Sequence, residues 1–221
     1  MTEPRTPVRP RDAASLLIYR MGASGPEVVM GRRSDRARFK PGVYVFPGGG
    51  LEAADARVTP LSPLAADIPS KIAVRGSVRR AQALALAAIR ETYEETGLIV
   101  GDVGDVGASS NPSWAALRAR GLAPALDKLA YLGRAITPST QPIRFHARFF
   151  AVAHQHVHGD FGDEGELSDL QWVPIVDATK FEVMGVTLLM LESLTSFLSA
   201  PQAYRAPFLS FQRGKRTLQW A

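Results

Sequence analysis

Apolar and polar positions along the chain follow the two-residue period of strands in some segments and the helical period in others. Short apolar runs bounded by turn residues predict strands, and they lie at 13–19, 27–30, 43–46, 129–136, 145–156, 171–174, 208–211 and 217–220. An Ala- and Leu-rich segment from about Ser77 to Thr96 predicts a long helix that Gly97 ends. Shorter helices are predicted at 113–120, with Ser113 as the N-cap, and at 183–198. Helices interleaved with antiparallel hairpins predict an α+β sandwich.

The segment 56–76 differs from its surroundings. It is broken by Pro60, Pro63 and Pro69 and shows no sustained period, which predicts a loop or small excursion. A chain of 221 residues can bury one sizeable core. We therefore expect a single domain spanning 1–221, with this segment as an insertion.

The composition is that of a globular protein, with 46% hydrophobic and 21% charged residues. No cysteine is present, which excludes disulfides, thiolate metal sites and a cysteine nucleophile. The first residues are rich in Pro and Arg, with no apolar h-region after them, and apolar stretches such as 183–191 are too short to span a membrane. We expect a cytoplasmic protein without a membrane partner.

Positive charge is concentrated ahead of a run of glycines. The net charge is +5, and five cationic residues precede Pro47-Gly48-Gly49-Gly50: Arg32, Arg33, Arg36, Arg38 and Lys40. Scattered arginines that keep the protein soluble are one explanation. A nucleic-acid partner is disfavoured because no exposed aromatics are interleaved with the patch. A phosphorylated small molecule is the better prediction.

Three carboxylates cluster near the end of the long predicted helix. Glu91, Glu94 and Glu95 are three and four residues apart, so they share one side of the helix. Like charges repel unless something positive lies among them, and hard cations such as Mg²⁺ or Mn²⁺ prefer oxygen ligands. Arg90 lies four residues before Glu94 and can pair with it. The glycines at 48–50 allow the backbone to approach a ligand closely. The pattern predicts a metal site.

Together, the glycine run and the acidic helix end resemble the signature of the Nudix hydrolases, Gly-x₅-Glu-x₇-Arg-Glu-U-x-Glu-Glu-x-Gly-U, where U is a bulky aliphatic residue. Gly49 matches the first glycine, and the second half is matched by Arg90, Glu91, Glu94, Glu95, Gly97 and Leu98. Asp55 replaces the first Glu, and Thr92 replaces an aliphatic residue. The largest departure is the 34 residues (56–89) that separate Asp55 from Arg90, where the signature has seven.

A long insertion is tolerable because the entropy of loop closure rises slowly with loop length. It also resembles a known Nudix branch with an interrupted motif, here split between 48–55 and 90–98 with an insertion at about 56–80. That branch includes a peroxisomal coenzyme A diphosphatase of animals and bacterial relatives. Three further stretches resemble the branch: 30–49, 136–138 and 144–150.

The resemblance implies a Nudix-type α/β/α sandwich with a mixed sheet, and cleavage of the diphosphate bond of a nucleoside diphosphate linked to another moiety. It implies Mg²⁺ or Mn²⁺ as cofactor, held by Glu94 and Glu95, with the Gly48 carbonyl as a further ligand. Glu91 would be a ligand or the general base, and the base is left unassigned. Arg90 would orient Glu94. A homodimer is expected because this family often dimerises.

Other site residues are predicted from position. Glu164 and Glu166 lie just before Trp172, where the family often carries a further metal-binding acid, although a solvated acidic loop is an equal alternative. Four arginines are candidates for substrate phosphates, with surface salt bridges as the alternative: Arg32, Arg33, Arg144 and Arg148. His154, His156 and His158 alternate on a predicted strand and would share one face. A second metal site there is disfavoured, because no carboxylate at ligand spacing joins them.

The leading hypothesis is thus a metal-dependent diphosphatase that acts on coenzyme A or acyl-CoA. ADP-ribose, NADH and nucleotide sugars are alternative substrates. A catalytically silent nucleotide-binding regulator is a different class, and the intact Glu91, Glu94 and Glu95 argue against it. RNA cap removal would predict a more basic face and strongly salt-dependent binding.

Overall fold

The computed structural model describes residues 8–37, 39–162, 165–212 and 214–220. The helices are α1 (Ile68–Lys71), α2 (Val78–Thr96), α3 (Pro112–Ala119) and α4 (Gly185–Ser199). The strands are β1 (Arg11–Gly22), β2 (Gly25–Arg33), β3 (Tyr44–Val45), β4 (Gly48–Gly50), β5 (Ile99–Val100), β6 (Asp102–Val103), β7 (Leu122–Ala123), β8 (Ala130–Ile136), β9 (Phe145–Ala153), β10 (Val157–His158), β11 (Leu167–Pro174), β12 (Pro207–Gln212) and β13 (Lys215–Trp220).

A mixed nine-stranded sheet forms the centre of the molecule, in the order β11-β2-β1-β9-β8-β12-β13. Short strands extend it, with β3 paired to β2 and β4 paired to β1. The β1–β9 and β8–β12 pairs are parallel, whereas the β1–β2 and β8–β9 pairs are antiparallel. The glycine strand β4 is antiparallel to β1, which fixes it beside the middle of the sheet.

Both faces of the sheet are covered by helix because the strands are apolar on both sides. Leu16 of β1 packs with Leu84 and Ile89 of α2 in one core. The next residue, Leu17, points to the opposite face and packs with Met190 of α4 in a second core. Side chains alternate along a strand, so adjacent leucines serve two cores. The predicted α+β sandwich with a mixed sheet is confirmed.

The long helix α2 has the predicted ends. Ser77 is the N-cap, and its side chain accepts a hydrogen bond from Arg80 N at 3.3 Å. At the other end Gly97 has φ 78°, a left-handed conformation that glycine adopts without strain, and its N–H donates to Tyr93 O at 2.9 Å. These caps fix where the acidic end of α2 stops.

Two local predictions are wrong. The N-cap of α3 is Asn111, and Ser113 lies inside the helix; Asn111 Oδ1 accepts from Ser113 N at 3.0 Å and Trp114 N at 3.2 Å. Pro112 takes the first helical position, where its missing N–H costs nothing. The strand predicted at 145–156 ends at Ala153, and His154–His156 form a 3₁₀ turn.

The segment 56–76 is an excursion with little regular structure, as predicted. It holds the 3₁₀ turn Asp55–Arg57 at its start and the single-turn helix α1 near its end. Among the described residues, no helix is long and apolar enough to cross a membrane.

Candidate active site

Arg90 is the centre of the acidic cluster. Its side chain is 1% exposed. Nη1 donates to Glu91 Oε1 at 2.9 Å and to Glu94 Oε2 at 3.0 Å, and Nη2 donates to Gly50 O at 2.7 Å. Burial alone would lower the pKa of Arg90, but its hydrogen bonds to Asp55 and the charges of Glu91 and Glu94 raise it above the ordinary value. Arg90 therefore stays charged and joins the two halves of the motif.

Asp55 holds the guanidinium of Arg90 in place. This carboxylate is fully buried and accepts from Arg90 Nε at 2.8 Å and from Arg90 Nη2 at 3.2 Å. It also accepts from Glu52 N at 2.8 Å and from Trp114 Nε1 at 3.2 Å. The Asp that replaces the Glu of the signature thus binds the arginine of the second half across the insertion.

Glu91 and Glu95 lie against the glycine strand. Glu95 is 6% exposed, and its Oε2 accepts from Gly48 N at 2.7 Å. A Cβ on Gly49 would lie 2.5 Å from Glu91 Oε1, so glycine at this position leaves room for the carboxylate where it now lies. The acidic helix end and the glycines are therefore in direct contact.

The surroundings of Glu91 and Glu95 raise the pKa of both carboxyl groups. Burial, opposed by Arg90, raises the pKa of Glu91 to about 7. Burial likewise raises the pKa of Glu95 to about 8, and the negative charges of Glu91 and Glu166 add to the effect despite the Gly48 hydrogen bond. Burial therefore outweighs the opposing charge of Arg90 at Glu91 and favours the protonated forms of both acids.

A cleft of about 490 Å³ opens beside the same glycines. Its walls are largely apolar and include Phe149 and Phe211, with the first turn of α4 on one side. Three cationic residues line it, from three separate parts of the chain: Arg33, Lys40 and Arg216. No Asp or Glu in the described ranges lines the cleft. It can hold a ligand that combines anionic and apolar parts.

A family model described as the NUDIX domain matches residues 65–186, more than half of the chain. The chain belongs to the Nudix hydrolase family. Family members act on nucleoside diphosphate derivatives and generally require divalent metal ions. The matched segment contains the second half of the split motif, and Gly48 and Gly49 lie upstream of it.

Individual Nudix proteins agree with this assignment. The structure resembles the crystal structure of a Nudix hydrolase from Alicyclobacillus acidocaldarius, with 31% identity, a TM-score of 0.67, and coverage of 85% of this chain and 92% of that one. "Putative nudix hydrolase 7" of Caenorhabditis elegans is 25% identical over 174 residues, which are 74% of this chain. The chain spans about half (51%) of the length of that curated relative.

A more distant likeness concerns the fold alone. The Nudix domain of Shewanella oneidensis NrtR, solved in complex with ADP ribose, is 12% identical with a TM-score of 0.50. That comparison covers 86% of this chain and 90% of the other.

The donor set of the Nudix site fits a hard divalent cation. It consists of carboxylates, with a peptide group at Gly48 beside them, and a bound cation would favour the charged forms of Glu91 and Glu95, whose pKa values burial raises. Within the described ranges, no three His, Asp or Glu side chains already have the spacing of a formed metal centre. Glu91 and Glu94 are instead paired with Arg90 in this structure.

The predicted acidic loop reaches the end of α2. Gly162 N donates to Thr96 O at 2.8 Å, and Glu166 is exposed but close enough to influence the pKa of Glu95. Glu164 lies outside the described residues. Of the two acids predicted in this loop, the structure thus brings Glu166 near the cluster.

The four predicted substrate arginines occupy different environments. Arg33 lines the cleft; its Nη1 donates to Phe39 O at 3.2 Å, and its buried Nε has no partner among the described residues. Arg32 pairs with Asp35 at 2.7 Å, and Arg144 donates to Thr137 O and Val8 O. Arg148 is 2% exposed and paired with Asp12. The structure brings Arg33 alone of these four to the cleft wall.

The three histidines do not share a face, contrary to the prediction. The 3₁₀ turn at His154–His156 has about three residues per turn, which destroys the strand alternation. His154 packs edge-on against Trp172, with ring centroids 5.1 Å apart, and His158 Nε2 lies 2.8 Å from Gly101 O. These contacts are structural.

Some site residues were missed in the sequence. Trp114, Ser113 and Asn111 contact acids of the motif, and Arg216 reaches the cleft from β13. The Asn-Pro pair at 111–112 is a helix-start signal that could have placed α3 correctly. No local sequence signal indicated that Arg216 lines the cleft, because its position depends on pairing between β12 and β8.

Proposed function

We propose that the chain is a metal-dependent diphosphatase whose substrate is coenzyme A or an acyl-CoA. The observation that carries the proposal is the junction at Gly48 and Gly49. On one side these glycines contact the carboxylates of Glu95, which is buried, and Glu91, which is half-buried, and on the other they line the cationic, apolar cleft. The acidic cluster, which suits a cation, thus adjoins the cleft, which suits an anion.

The residues that would hold Mg²⁺ or Mn²⁺ are Gly48, through its carbonyl, and the acids Glu91, Glu94, Glu95 and Glu166, with Glu164 as a further candidate from the sequence. The cation would neutralise the diphosphate and lower the pKa of the attacking water. Support comes from the donor chemistry of the cluster and from the family, whose members generally use divalent metals.

The protein groups have separate roles in the proposed reaction. Arg90 holds Glu91 and Glu94 in place through its Nη1. One carboxylate accepts a proton from water as the water oxygen bonds to phosphorus, and the P–O–P bond breaks to leave two phosphate groups. Glu91, which lies against Gly49 at the junction, is a candidate for this base.

Two observations favour a coenzyme A substrate. The sequence resembles the Nudix branch with an interrupted motif. The cleft also combines apolar walls with Arg33, Lys40 and Arg216. This lining suits coenzyme A, which has a long arm to pack against the walls and carries more phosphate groups than ADP-ribose or NADH. ADP-ribose, NADH and nucleotide sugars are the second candidates, since the NrtR domain of the same fold was solved with ADP ribose.

The extent of the domain is part of the proposal. We take 1–221 as one Nudix domain, because β12 and β13, which follow the segment matched by the family model, extend the same sheet. A homodimer and a cytoplasmic location stay predictions from the sequence.

A product analysis tests the substrate. The protein is incubated with Mg²⁺ or Mn²⁺ and coenzyme A, an acyl-CoA, ADP-ribose, NADH or a dinucleoside polyphosphate, and products are separated by chromatography. We expect coenzyme A to yield 3′,5′-ADP and 4′-phosphopantetheine. Robust cleavage of ADP-ribose without these products would reject coenzyme A. Turnover of none of the compounds would argue for the silent regulator.

A further inference from the structure

The first turn of α3 contacts three acids of the split motif. Asn111 Nδ2 donates to Glu52 Oε2 at 3.2 Å, Ser113 Oγ donates to Glu94 Oε1 at 2.5 Å, and Trp114 Nε1 donates to Asp55 Oδ1 at 3.2 Å. We call residues 111–114 the docking turn. It lies outside both halves of the motif, yet its side chains reach both.

The Ser113 contact completes the fixation of Glu94. Ser113 Oγ binds one oxygen of this carboxylate, and Arg90 Nη1 binds the other at 3.0 Å. Ser113 is 7% exposed, so water has little access to its hydroxyl. Two donors on two oxygens restrict the rotation of a carboxylate whose side chain is 34% exposed and otherwise free to move.

Trp114 supports the position of Glu94 indirectly, through Asp55. Its side chain is fully buried, and its N–H binds the Asp55 oxygen that also accepts from Arg90 Nε. Asp55 in turn sets the orientation of Arg90. Ser113 thus acts on Glu94 directly, and Trp114 acts through Asp55 and Arg90.

The docking turn is itself rigid. Asn111 uses its Oδ1 to cap α3 and its Nδ2 to contact Glu52, so one side chain joins the helix start to the motif. Pro112 fixes the backbone at the first helical position. A turn held in this way can orient a carboxylate without reorganising.

We propose that Ser113 is a positioning residue for the metal site, which it serves by holding Glu94 in the orientation needed to bind a divalent cation. Trp114 assists by holding Asp55. Partners that orient metal ligands commonly contribute 10–100-fold to metal affinity or activity. This inference rests on the proposed metal-dependent function. The alternative is that the three contacts only attach α3 to the core.

Mn²⁺ binding separates these explanations. The Mn²⁺ dissociation constant is measured by calorimetry and by electron paramagnetic resonance for the wild type, Ser113→Ala, Ser113→Thr and Trp114→Phe, together with Tm. Ser193→Ala is the matched control, because Ser193 is also a buried helical serine but donates to Leu189 O in α4. We expect Ser113→Ala to weaken Mn²⁺ binding about tenfold, with a Tm change no larger than that of the control.

Ser113→Thr keeps the hydroxyl and should bind Mn²⁺ within about threefold of the wild type, while Trp114→Phe should show an intermediate loss. Wild-type Mn²⁺ affinity in Ser113→Ala would overturn the inference, as would a loss matched by Ser193→Ala. Glu94→Gln distinguishes a failure of the metal site from a failure of the positioning role of Ser113. If the wild type binds Mn²⁺ and Glu94→Gln does not, a normal Ser113→Ala rejects the positioning role alone. If Glu94→Gln equals the wild type, the proposed metal site fails.

Discussion

Arg90 and Asp55 form the connection on which the split motif depends. Arg90 is almost completely buried, and Asp55 is the acid that meets it at Nε. Removing one partner of a buried ion pair leaves an uncompensated charge, and this costs more than the pair itself contributes. At the scale of single residues, the insertion is tolerated because this pair joins its two ends.

Substitution of Asp55 tests that connection. Asp55→Asn keeps the size of the side chain but removes the charge that faces Arg90. We expect the free energy of unfolding, measured by urea denaturation, to fall by about 2–3 kcal/mol. The control is Asp105→Asn, which removes an exposed carboxylate paired with Arg118 and should change stability little. An equal effect of the two substitutions would refute the anchoring role of Asp55.

At the scale of elements, the end of α2 brings together carboxyl groups with raised pKa values. Glu91 and Glu95 have pKa values raised to about 7 and about 8, chiefly by burial, so they bind protons more tightly in the folded state than in the unfolded chain. Arg90 and Arg33 oppose these shifts, whereas Glu94 and Glu166 reinforce them. The folded state without metal therefore loses stability when these protons leave.

This charge predicts the pH dependence of the metal-free protein. Because the folded pKa values lie above the unfolded value of 4.5, the stabilisation by these protons is complete below about pH 4.5 and is lost as the pH rises through 7 and 8. We expect Tm in EDTA to fall between pH 5.5 and 8.5, because the free energy of unfolding drops by at most about 1.4 kcal/mol per pH unit for each carboxylate, and we expect Mn²⁺ to reverse the fall. Glu95→Gln should flatten the profile. A Tm that rises over this range would contradict the account.

The hairpin of β12 and β13 is the second element with a specific role. Arg216 pairs with Phe211 across the hairpin, and both line the cleft, while the neighbouring Lys215 points to the other side of the sheet. The two cations therefore differ in direction on one strand.

Charge reversal on this strand tests the cleft. Arg216→Glu should raise the KM for coenzyme A about tenfold or more, since a charged hydrogen bond to phosphate contributes about 1.5–3 kcal/mol, and should leave kcat nearly unchanged. Lys215→Glu makes the same charge change away from the cleft and should have little effect in a steady-state assay. Equal effects of both variants would mean that net charge, not the cleft, binds the substrate.

Local signals predicted the elements but not how distant segments meet. The ends of α2 followed from Ser77 and Gly97, and the acidic cluster at its end followed from the spacing of Glu91, Glu94 and Glu95. Arg90 was expected to pair with Glu94, and it does. Its tighter contact with Asp55 crosses the insertion, which local spacing does not reveal.

Other parts of the site depended on tertiary pairing. The docking turn and Arg216 reach the site through α3 and through the β8–β12 pairing, both distant in sequence from the motif. Strand periodicity placed the three histidines on one face because it carries no signal for the turn that begins after Ala153. Periodicity gives direction only while the element continues.

At the scale of the whole molecule, the sheet separates two tasks. Helix α2 on one face supplies the acids, and the cleft lies on the α4 face. The glycines of β4 lie at the boundary, where the absence of side chains lets the two meet. We infer that a diphosphate placed at this boundary would be cleaved by water, with a divalent cation held by the acids.

The most direct test of that claim is the rate of diphosphate cleavage of coenzyme A, followed by ³¹P NMR with and without metal. We expect no cleavage in EDTA, full recovery with Mg²⁺ or Mn²⁺, and at least a hundredfold loss of rate in Glu94→Gln at an unchanged Tm. Cleavage at the wild-type rate in EDTA, or by Glu94→Gln with metal present, would contradict it.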